Sequence, residues 1–232
     1  MKILAFDSTA ITASVAITED IRLLGEVTLN NGNTHSETLL PMAEALLAML
    51  RLNVSDIDLF ACSSGPGSFT GVRIGAATVK GMAFGTEKPC VGVSTLEALA
   101  YNMRGHKGII CPVMNARRSQ VYTAIFESDG YTLKRVTEDM AIGADELDEK
   151  LSAYECRVYL VGDGIEVAQN CFEKTKAIPA PEALRYQSAY SVSQVALCMH
   201  NEGKSVSDAE LTATYLRLSQ AERERIEREN TK

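Results

Sequence analysis

The sequence predicts an α/β protein built from two lobes of the same topology, each with a mixed β-sheet. The first observation is the predicted element order of residues 2–103, which is βββαβαβα. The second is a weaker repeat of this order in the second half, as duplication produces. The third is the composition of the 232 residues, 46% hydrophobic and 23% charged, which is typical of a globular protein with a sizeable core.

Three strands are predicted at the start of the chain. Residues 2–7 are a short apolar run, and residues 13–18 and 22–29 alternate between apolar and polar positions. The connections are short, so an antiparallel meander is expected. The side chains expected to share one face are Ala13, Val15 and Ile17 on the second strand, and Leu23, Val27 and Leu29 on the third, with Gly25 between them.

An amphipathic helix is predicted from about residue 35 to residue 51. Thr34 and Glu37 have the spacing of a capping box, which predicts the helix start. Pro41 removes one helical hydrogen bond, so we expect a bend there. The apolar residues at helical spacing are Leu39, Ala43, Leu46, Leu47 and Leu50.

A second helix, residues 70–85, is apolar on nearly all sides. It lies between predicted strands at 58–64 and 89–93, and a third helix is predicted at 95–103. A sheet covers only one side of a helix, so the rest of helix 70–85 must meet another helix or another chain. Its many small residues permit close helix packing. The alternative is a wholly internal helix.

The second half of the chain repeats the pattern, and the predicted lobes are residues 1–104 and 105–217. Residues 115–118 (Asn-Ala-Arg-Arg) stand where Asp7 stands in the first lobe. Two ribonuclease-H-like halves, as in actin-like ATPases and sugar kinases, fit this order. The charged tail, 218–232, is expected to be a solvated helix or a disordered end. The other predicted elements are strands at 108–114, 120–127, 131–137 and 157–161, and helices at 144–151, after Gly162-Asp163-Gly164, and at 189–201.

Charge and composition argue against several function classes. The net charge of −7 disfavours a stand-alone RNA-binding protein, which needs a basic face. The six cysteines and three histidines lack the spacing of a zinc site or a disulfide framework. No apolar run is long enough to span a bilayer, and the first residues do not resemble a secretory signal. We therefore expect a cytoplasmic protein.

The glycine-rich segment 64–75 follows a strand and opens a helix, where free amides can hold an anion. Asp7 ends the first strand, where actin-like ATPases place an Asp near the nucleotide's magnesium. The alternatives are a compact junction without ligand and, for Asp7 and Ser8, a simple turn. The turn is favoured, because residues 115–118 lack an Asp and a glycine cluster. The candidate anion- or nucleotide-binding residues are Asp7, Ser8, Gly65, Gly67, Ser68, Gly71 and Arg73.

Six blocks of sequence resemble the TsaB (YeaZ-type) family in order and spacing. They are residues 3–9, 35–41, 64–75, 115–122, 162–164 and 215–217. The resemblance implies a duplicated ribonuclease-H-like, actin-like fold. It also implies an accessory role beside TsaD and TsaE in forming N6-threonylcarbamoyladenosine (t6A) in tRNAs that read codons beginning with A. The blocks are similar to TsaD as well, but TsaD holds its metal with a His-x-x-x-His pair on the helix after the fifth strand. Residues 93–99 contain no histidine.

The resemblance also implies partners and an interface. The family pairs with TsaD as a heterodimer through the first two helices of the N-terminal lobe, and the same face forms homodimers of the isolated protein. tRNA is then met only through the complex. No cofactor belongs to this chain, and ATP and metal are expected in the partner subunits. The interface residues carried over are His35, Leu39, Ala43, Leu46, Leu47, Ile74, Thr78 and Met82.

Two other classes of function stay open on the sequence. One is an enzyme, either a peptidase of the M22 glycoprotease type or an actin-like ATPase that depends on Asp7. The other is direct RNA binding, which would show a steep dependence of tRNA affinity on salt. The missing histidines argue against the first and the acidic balance against the second.

Overall fold

A computed structural model describes residues 1–217, and the predicted charged tail 218–232 lies outside this range. The strands are β1 Lys2–Asp7, β2 Ala13–Glu19, β3 Arg22–Leu29, β4 Leu59–Gly65, β5 Cys90–Ser94, β6 Gly108–Asn115, β7 Gln120–Thr123, β8 Phe126–Ser128, β9 Leu133–Arg135, β10 Met140–Gly143, β11 Val158–Val161 and β12 Ile178–Pro179. The helices are α1 His35–Leu50, α2 Phe69–Thr86, α3 Thr95–Tyr101, α4 Ala144–Leu151, α5 Ile165–Gln169, α6 Glu182–Arg185 and α7 Ala189–Asn201. No helix within residues 1–217 is both long and apolar enough to cross a membrane.

The first sheet has the strand order β3-β2-β1-β4-β5. Strands β1, β2 and β3 form the predicted antiparallel meander, and β4 and β5 run parallel to β1. Helices α1 and α2 supply the connections that parallel strands require. The mixed sheet predicted for this half is therefore confirmed.

The second sheet repeats the core of the first. Strand β6 pairs antiparallel with β7 and parallel with β11, as β1 does with β2 and β4. The full order is β10-β7-β6-β11-β12, with β8 paired to β6 and β9. The strand predicted over 120–127 is broken at residues 124–125 into β7 and β8, and the one predicted over 131–137 is shortened to β9. Strands β10 and β12 were not predicted, because each is too short to show an alternating pattern.

Two helical layers cover the first sheet. Helices α1 and α2 pack on one face, where Leu4, Phe6 and Phe60 are fully buried. Helix α7 covers the other face, where Ile3 and Leu59 are buried. Because α7 comes from the second half of the chain, the division into lobes at residue 104 stays a prediction.

Two details of the first lobe differ from the sequence pattern. A bulge between Ile17 and Thr18 shifts the register of β3, so Leu23 is 43% exposed and Leu24 packs on the core instead. The Thr34 side chain makes no cap hydrogen bond at the start of α1, so the predicted capping box is not formed. Although a bend was expected at Pro41, α1 is one continuous helix from His35 to Leu50.

Candidate functional site

The ends of four strands meet at a cavity of about 590 Å³ between the two sheets. Strands β1 and β4 of the first sheet and β6 and β11 of the second lead into the loops that line it. In an α/β protein this end of the strands is where ligands usually bind. The lining residues are Thr9, Ala10, Ile11, Pro66, Gly67, Ser68, Phe69, Thr70, Met114, Asn115, Ala116, Arg117, Tyr122, Asp163, Thr214, Tyr215, Leu216 and Arg217.

The Asp7 carboxylate does not line this cavity but is buried beneath it. One oxygen accepts hydrogen bonds from the Thr9 backbone N–H (2.9 Å) and hydroxyl (2.7 Å), and the other accepts one from the Ser63 hydroxyl. Burial raises the pKa of Asp7 above its ordinary value, although these hydrogen bonds act in the opposite direction. Asp7 therefore holds a turn, as the simpler interpretation of the sequence has it.

The glycines of segment 64–75 make room for the protein's own backbone. A Cβ atom on Gly71 would lie 1.9 Å from the Ser8 carbonyl oxygen, and one on Gly67 would lie 2.5 Å from that of Thr9. At Gly65, which has a φ of +116°, a Cβ atom would lie 2.2 Å from the Thr214 carbonyl oxygen. These glycines are therefore explained by close packing within the chain.

The seven candidate anion-binding residues are not brought together around the cavity. Gly67 and Ser68 line it, whereas Asp7, Ser8, Gly65, Gly71 and Arg73 do not. Ser68 caps α2 by accepting a hydrogen bond from the Gly71 N–H, and the Ser8 hydroxyl donates to the Gly71 carbonyl oxygen over 2.9 Å. Arg73 lies over the Phe69 ring at 4.0 Å and donates from Nε to the Tyr215 hydroxyl at 3.1 Å. Five of the seven residues therefore do not line the cavity, and a joint anion- or nucleotide-binding site formed by all seven stays a prediction.

The second lobe contributes residues that sequence reasoning did not assign to a site. Asp163 accepts a hydrogen bond from the Asn115 N–H at 3.2 Å, and burial raises the pKa of Asp163. Gly162 has a φ of +120°, and a Cβ atom on it would lie 2.2 Å from the Val113 carbonyl oxygen. The sequence did contain a signal for these cavity residues, because segments 162–164 and 215–217 are two of the six blocks that resemble the family.

The described part of the chain holds no cluster of three or more His, Cys, Asp or Glu side chains arranged to bind a metal ion. Helix α3, which follows the fifth strand, carries Leu96 and Leu99 into the core. Its buried polar side chain is Thr95, and Ser94 caps its first turn.

Four of the predicted interface residues of α1 face the protein's own core. Leu39, Ala43, Leu46 and Leu47 are buried against the first sheet, so the prediction that they face a partner is wrong for this monomer. The reason is that the strongest apolar stripe of a surface helix is the one that packs on its own sheet.

The other four predicted interface residues are half-buried. Ile74 and Met82 pack against the same core, and the Thr78 hydroxyl bonds to the Ile74 carbonyl oxygen. His35 lies 2.7 Å through Nε2 from the carbonyl oxygen of Ala10, on the loop that lines the cavity. All four keep some exposure, so their part in a partner interface stays a prediction.

The outward faces of α1 and α2 carry other apolar residues. Leu40 is 45% exposed, Met49 75% and Phe84 74%. Around them Ala77, Gly81 and Gly85 are exposed, and both glycines face open space. Helix α2 is therefore not wholly internal. We call the exposed residues Leu40, Ala45, Ala48, Met49, Ala77, Gly81, Phe84 and Gly85 the outer helix surface.

Comparison with known proteins places this geometry in a family. The family described as "TsaD: tRNA N6-adenosine threonylcarbamoyltransferase" matches residues 22–224. The tRNA threonylcarbamoyladenosine biosynthesis protein TsaB of Bacillus subtilis is 29% identical over 227 residues, 98% of this chain and 99% of the relative. TsaB of Escherichia coli is 29% identical over 94% of this chain and 95% of the relative.

Solved structures confirm the fold. YeaZ from Pseudomonas aeruginosa superimposes with a TM-score of 0.81 at 24% identity, covering 93% of this chain and 99% of that one. An activator of 2-hydroxyisocaproyl-CoA dehydratase from Clostridium difficile, solved with bound ADPNP, reaches a TM-score of 0.50 at 10% identity over 92% of this chain and 99% of that one. The predicted actin-like fold is thus confirmed. The chain belongs to the TsaD family of tRNA N6-adenosine threonylcarbamoyltransferases, as a TsaB-type (YeaZ-type) member.

Proposed function

We propose that this chain is a non-catalytic subunit that activates a TsaD-type partner in the formation of t6A on tRNAs reading codons that begin with A. In this proposal it pairs with TsaD, works with TsaE, and meets tRNA only through the complex in the cytoplasm. It holds no cofactor of its own, and ATP and metal belong to the partner subunits. The relatives named TsaB support the pathway.

The observation that carries the non-catalytic assignment is helix α3. TsaD-type proteins hold their metal with a histidine pair on the helix after the fifth strand, and residues 93–99 contain no histidine. Leu96 and Leu99 fill the core from this helix, and the Glu97 carboxylate between them is paired with Arg135 at 2.8 Å. Without such ligands a metal cannot polarise the substrate here.

The outer helix surface supports the docking half of the proposal. Exposed large apolar side chains are typical of interaction surfaces, and α1 and α2 both carry them: Leu40 and Met49 on α1, and Phe84 on α2. Exposed glycine and alanine on α2 let a partner helix approach closely. We therefore move the proposed contact from the inner stripe of α1 to this outer surface, which also serves the homodimer of the isolated chain.

The test combines co-purification with TsaD and mass-spectrometric assay of t6A in tRNA, with and without this chain. We expect Met49→Asp and Phe84→Asp to leave the chain folded but monomeric, unable to bind TsaD, and inactive in the assay. Tyr131→Asp is the matched control, because Tyr131 is 91% exposed on the second lobe. Binding retained by both variants would disprove this surface, and ATP turnover or peptide hydrolysis by the chain alone would disprove the non-catalytic role.

A further inference from the structure

Residues 211–217, the last ones that the structure describes, form a strap that lines one side of the interlobe cavity. The strap leaves the edge of the first sheet, where Val206 pairs with Cys90, and ends beside the second lobe. Its residues Thr214, Tyr215, Leu216 and Arg217 all line the cavity. The strap is therefore a second link between the two lobes, separate from the main-chain connection between α3 and β6.

The beginning of the strap is firmly attached to the first lobe. Leu211 is buried in the core beneath α2, and Lys80 donates a hydrogen bond to its carbonyl oxygen at 3.0 Å. The Thr214 N–H donates to the Ser64 carbonyl oxygen at 2.7 Å. Gly65 lets the strap pass this closely, because any side chain there would overlap the Thr214 carbonyl.

The middle of the strap is held by a surface cluster. The Tyr215 ring stacks on that of Phe69, with centroids 4.4 Å apart, and Arg73 lies over Phe69 while bonding to the Tyr215 hydroxyl. Tyr215 is 40% exposed, and the cluster includes no residue of the hydrophobic core. Exposed contacts of this kind open locally at much lower cost than the core does.

The end of the strap holds a strained loop of the second lobe. Arg217 donates from Nη1 to the Ala116 carbonyl oxygen at 2.7 Å. The next three residues, Arg117, Arg118 and Ser119, all have positive φ, between 54° and 64°. Residues other than glycine rarely adopt this backbone conformation, so it persists only where surrounding contacts impose it.

We propose that Tyr215–Arg217 is a latch between the lobes: its stacking on α2 and its bond to Ala116 hold the lobes together across the cavity, and its release frees the strained loop and widens the cavity. Thr214 is the hinge, because Leu211 before it is buried in the core, whereas the Arg73–Tyr215 bond after it is exposed and the Arg217–Ala116 bond is only partly buried. The latch is a property of the isolated chain and does not rest on the proposed function.

The test is amide hydrogen exchange followed by mass spectrometry on the isolated full-length chain. In Tyr215→Ala we expect exchange to speed up about two- to thirteenfold both in residues 64–70 and in residues 113–119, since an aromatic stack contributes about 0.5–1.5 kcal/mol. The second effect is decisive, because Tyr215 makes no hydrogen bond to that loop among the described contacts. Arg217→Ala should speed exchange in 113–119 and leave 144–151 unchanged, and Tyr131→Ala should change neither loop. Unchanged exchange in 113–119 for Tyr215→Ala would overturn the latch, whatever Arg217→Ala does, because Arg217 bonds to that loop directly.

Discussion

Asp7 and Asn115 occupy equivalent positions in the two lobes, each at the end of the first strand of its sheet. The Oδ1 atom of each accepts a hydrogen bond from the backbone N–H two residues later, at 2.9 Å in Asp7 and 2.8 Å in Asn115. A positive-φ glycine stands at the end of each of the equivalent strands, with Gly65 as the last residue of β4 and Gly162 directly after β11. The duplication thus extends to the geometry of the loops. The carboxylate, however, is present only in the first lobe, since the second lobe has Asn115 at the equivalent position.

Asp7→Asn should leave the free energy of unfolding at pH 7 unchanged or raise it. The pKa of Asp7 is raised by burial, so its contribution is fully present below the unfolded pKa of about 3.9 and is lost as the pH rises through the folded pKa. An asparagine side chain still offers an oxygen that accepts the hydrogen bonds from Thr9, but it carries no buried charge. Denaturant unfolding of wild type and variant between pH 3 and 8 checks this.

The contrasting variant at the same position is Asp7→Ala, which leaves Ser63 and Thr9 without their acceptor. It should lower stability by about 1–3 kcal/mol. If Asp7→Asn were as destabilising as Asp7→Ala, the buried carboxylate charge itself would be required, and a turn-holding role would not suffice.

Asp148 should show the opposite pH dependence. Burial raises its pKa, but N–H groups of Glu173, Lys174 and Thr175 bond to the carboxylate and lower it overall. Its contribution is therefore present above the unfolded pKa of about 3.9 and is lost as the pH falls through the folded pKa. Asp148→Asn should cost about 2–3 kcal/mol at pH 7, because its NH2 group would face these donors. The difference from wild type should shrink below about pH 4, as measured by urea unfolding. A constant difference down to pH 2 would contradict this account.

Gly71→Ala and Gly81→Ala form a matched pair on α2. The first places a Cβ 1.9 Å from the Ser8 carbonyl oxygen, so it should destabilise the protein by about 2–3 kcal/mol or more. The second places a Cβ in open space in a helix, so it should stabilise the protein by about 0.5–1 kcal/mol. Thermal and denaturant unfolding compare them. Equal effects would mean that α2 does not approach the Ser8 loop as described.

Leu39→Ala and Leu40→Ala separate the two faces of α1. Leu39 is buried, so its truncation should cost about 2–5 kcal/mol. Leu40 is exposed, so its truncation should change stability by no more than about 0.5 kcal/mol. Leu40→Ala should weaken binding to TsaD while leaving unfolding unchanged. A large loss of stability in Leu40→Ala would show that the outer helix surface is part of the fold.

The element pattern of the first lobe could be predicted because its signals are local. Alternation and short connections were enough for β1–β3, and helical spacing was enough for α1, α2 and α7. The short strands β10 and β12 carry too few residues for a period to appear, and the break between β7 and β8 left no sign in the pattern of 120–127. The bulge in β3 depends on pairing with β2, which one strand's sequence does not contain.

The candidate site was harder to predict because glycine is ambiguous in sequence. The same residue serves a phosphate cradle or a close backbone contact, and Gly67 and Gly71 serve the second. Likewise, helical spacing identified Leu39 and Leu47 as one stripe but did not tell whether that stripe faces a sheet or a partner. Only the packed structure decides, and it assigns the exposed role to Leu40, Met49 and Phe84.

Helix α7 has a consequence for how the chain is made. It covers the face of the first sheet formed by Ile3, Leu59 and Val91, yet it lies at residues 189–201. On the ribosome that face stays bare until residues 189–201 have emerged, so the first lobe cannot finish folding before they do. A fragment that ends before α7 would carry an uncovered apolar sheet and would aggregate or recruit chaperones.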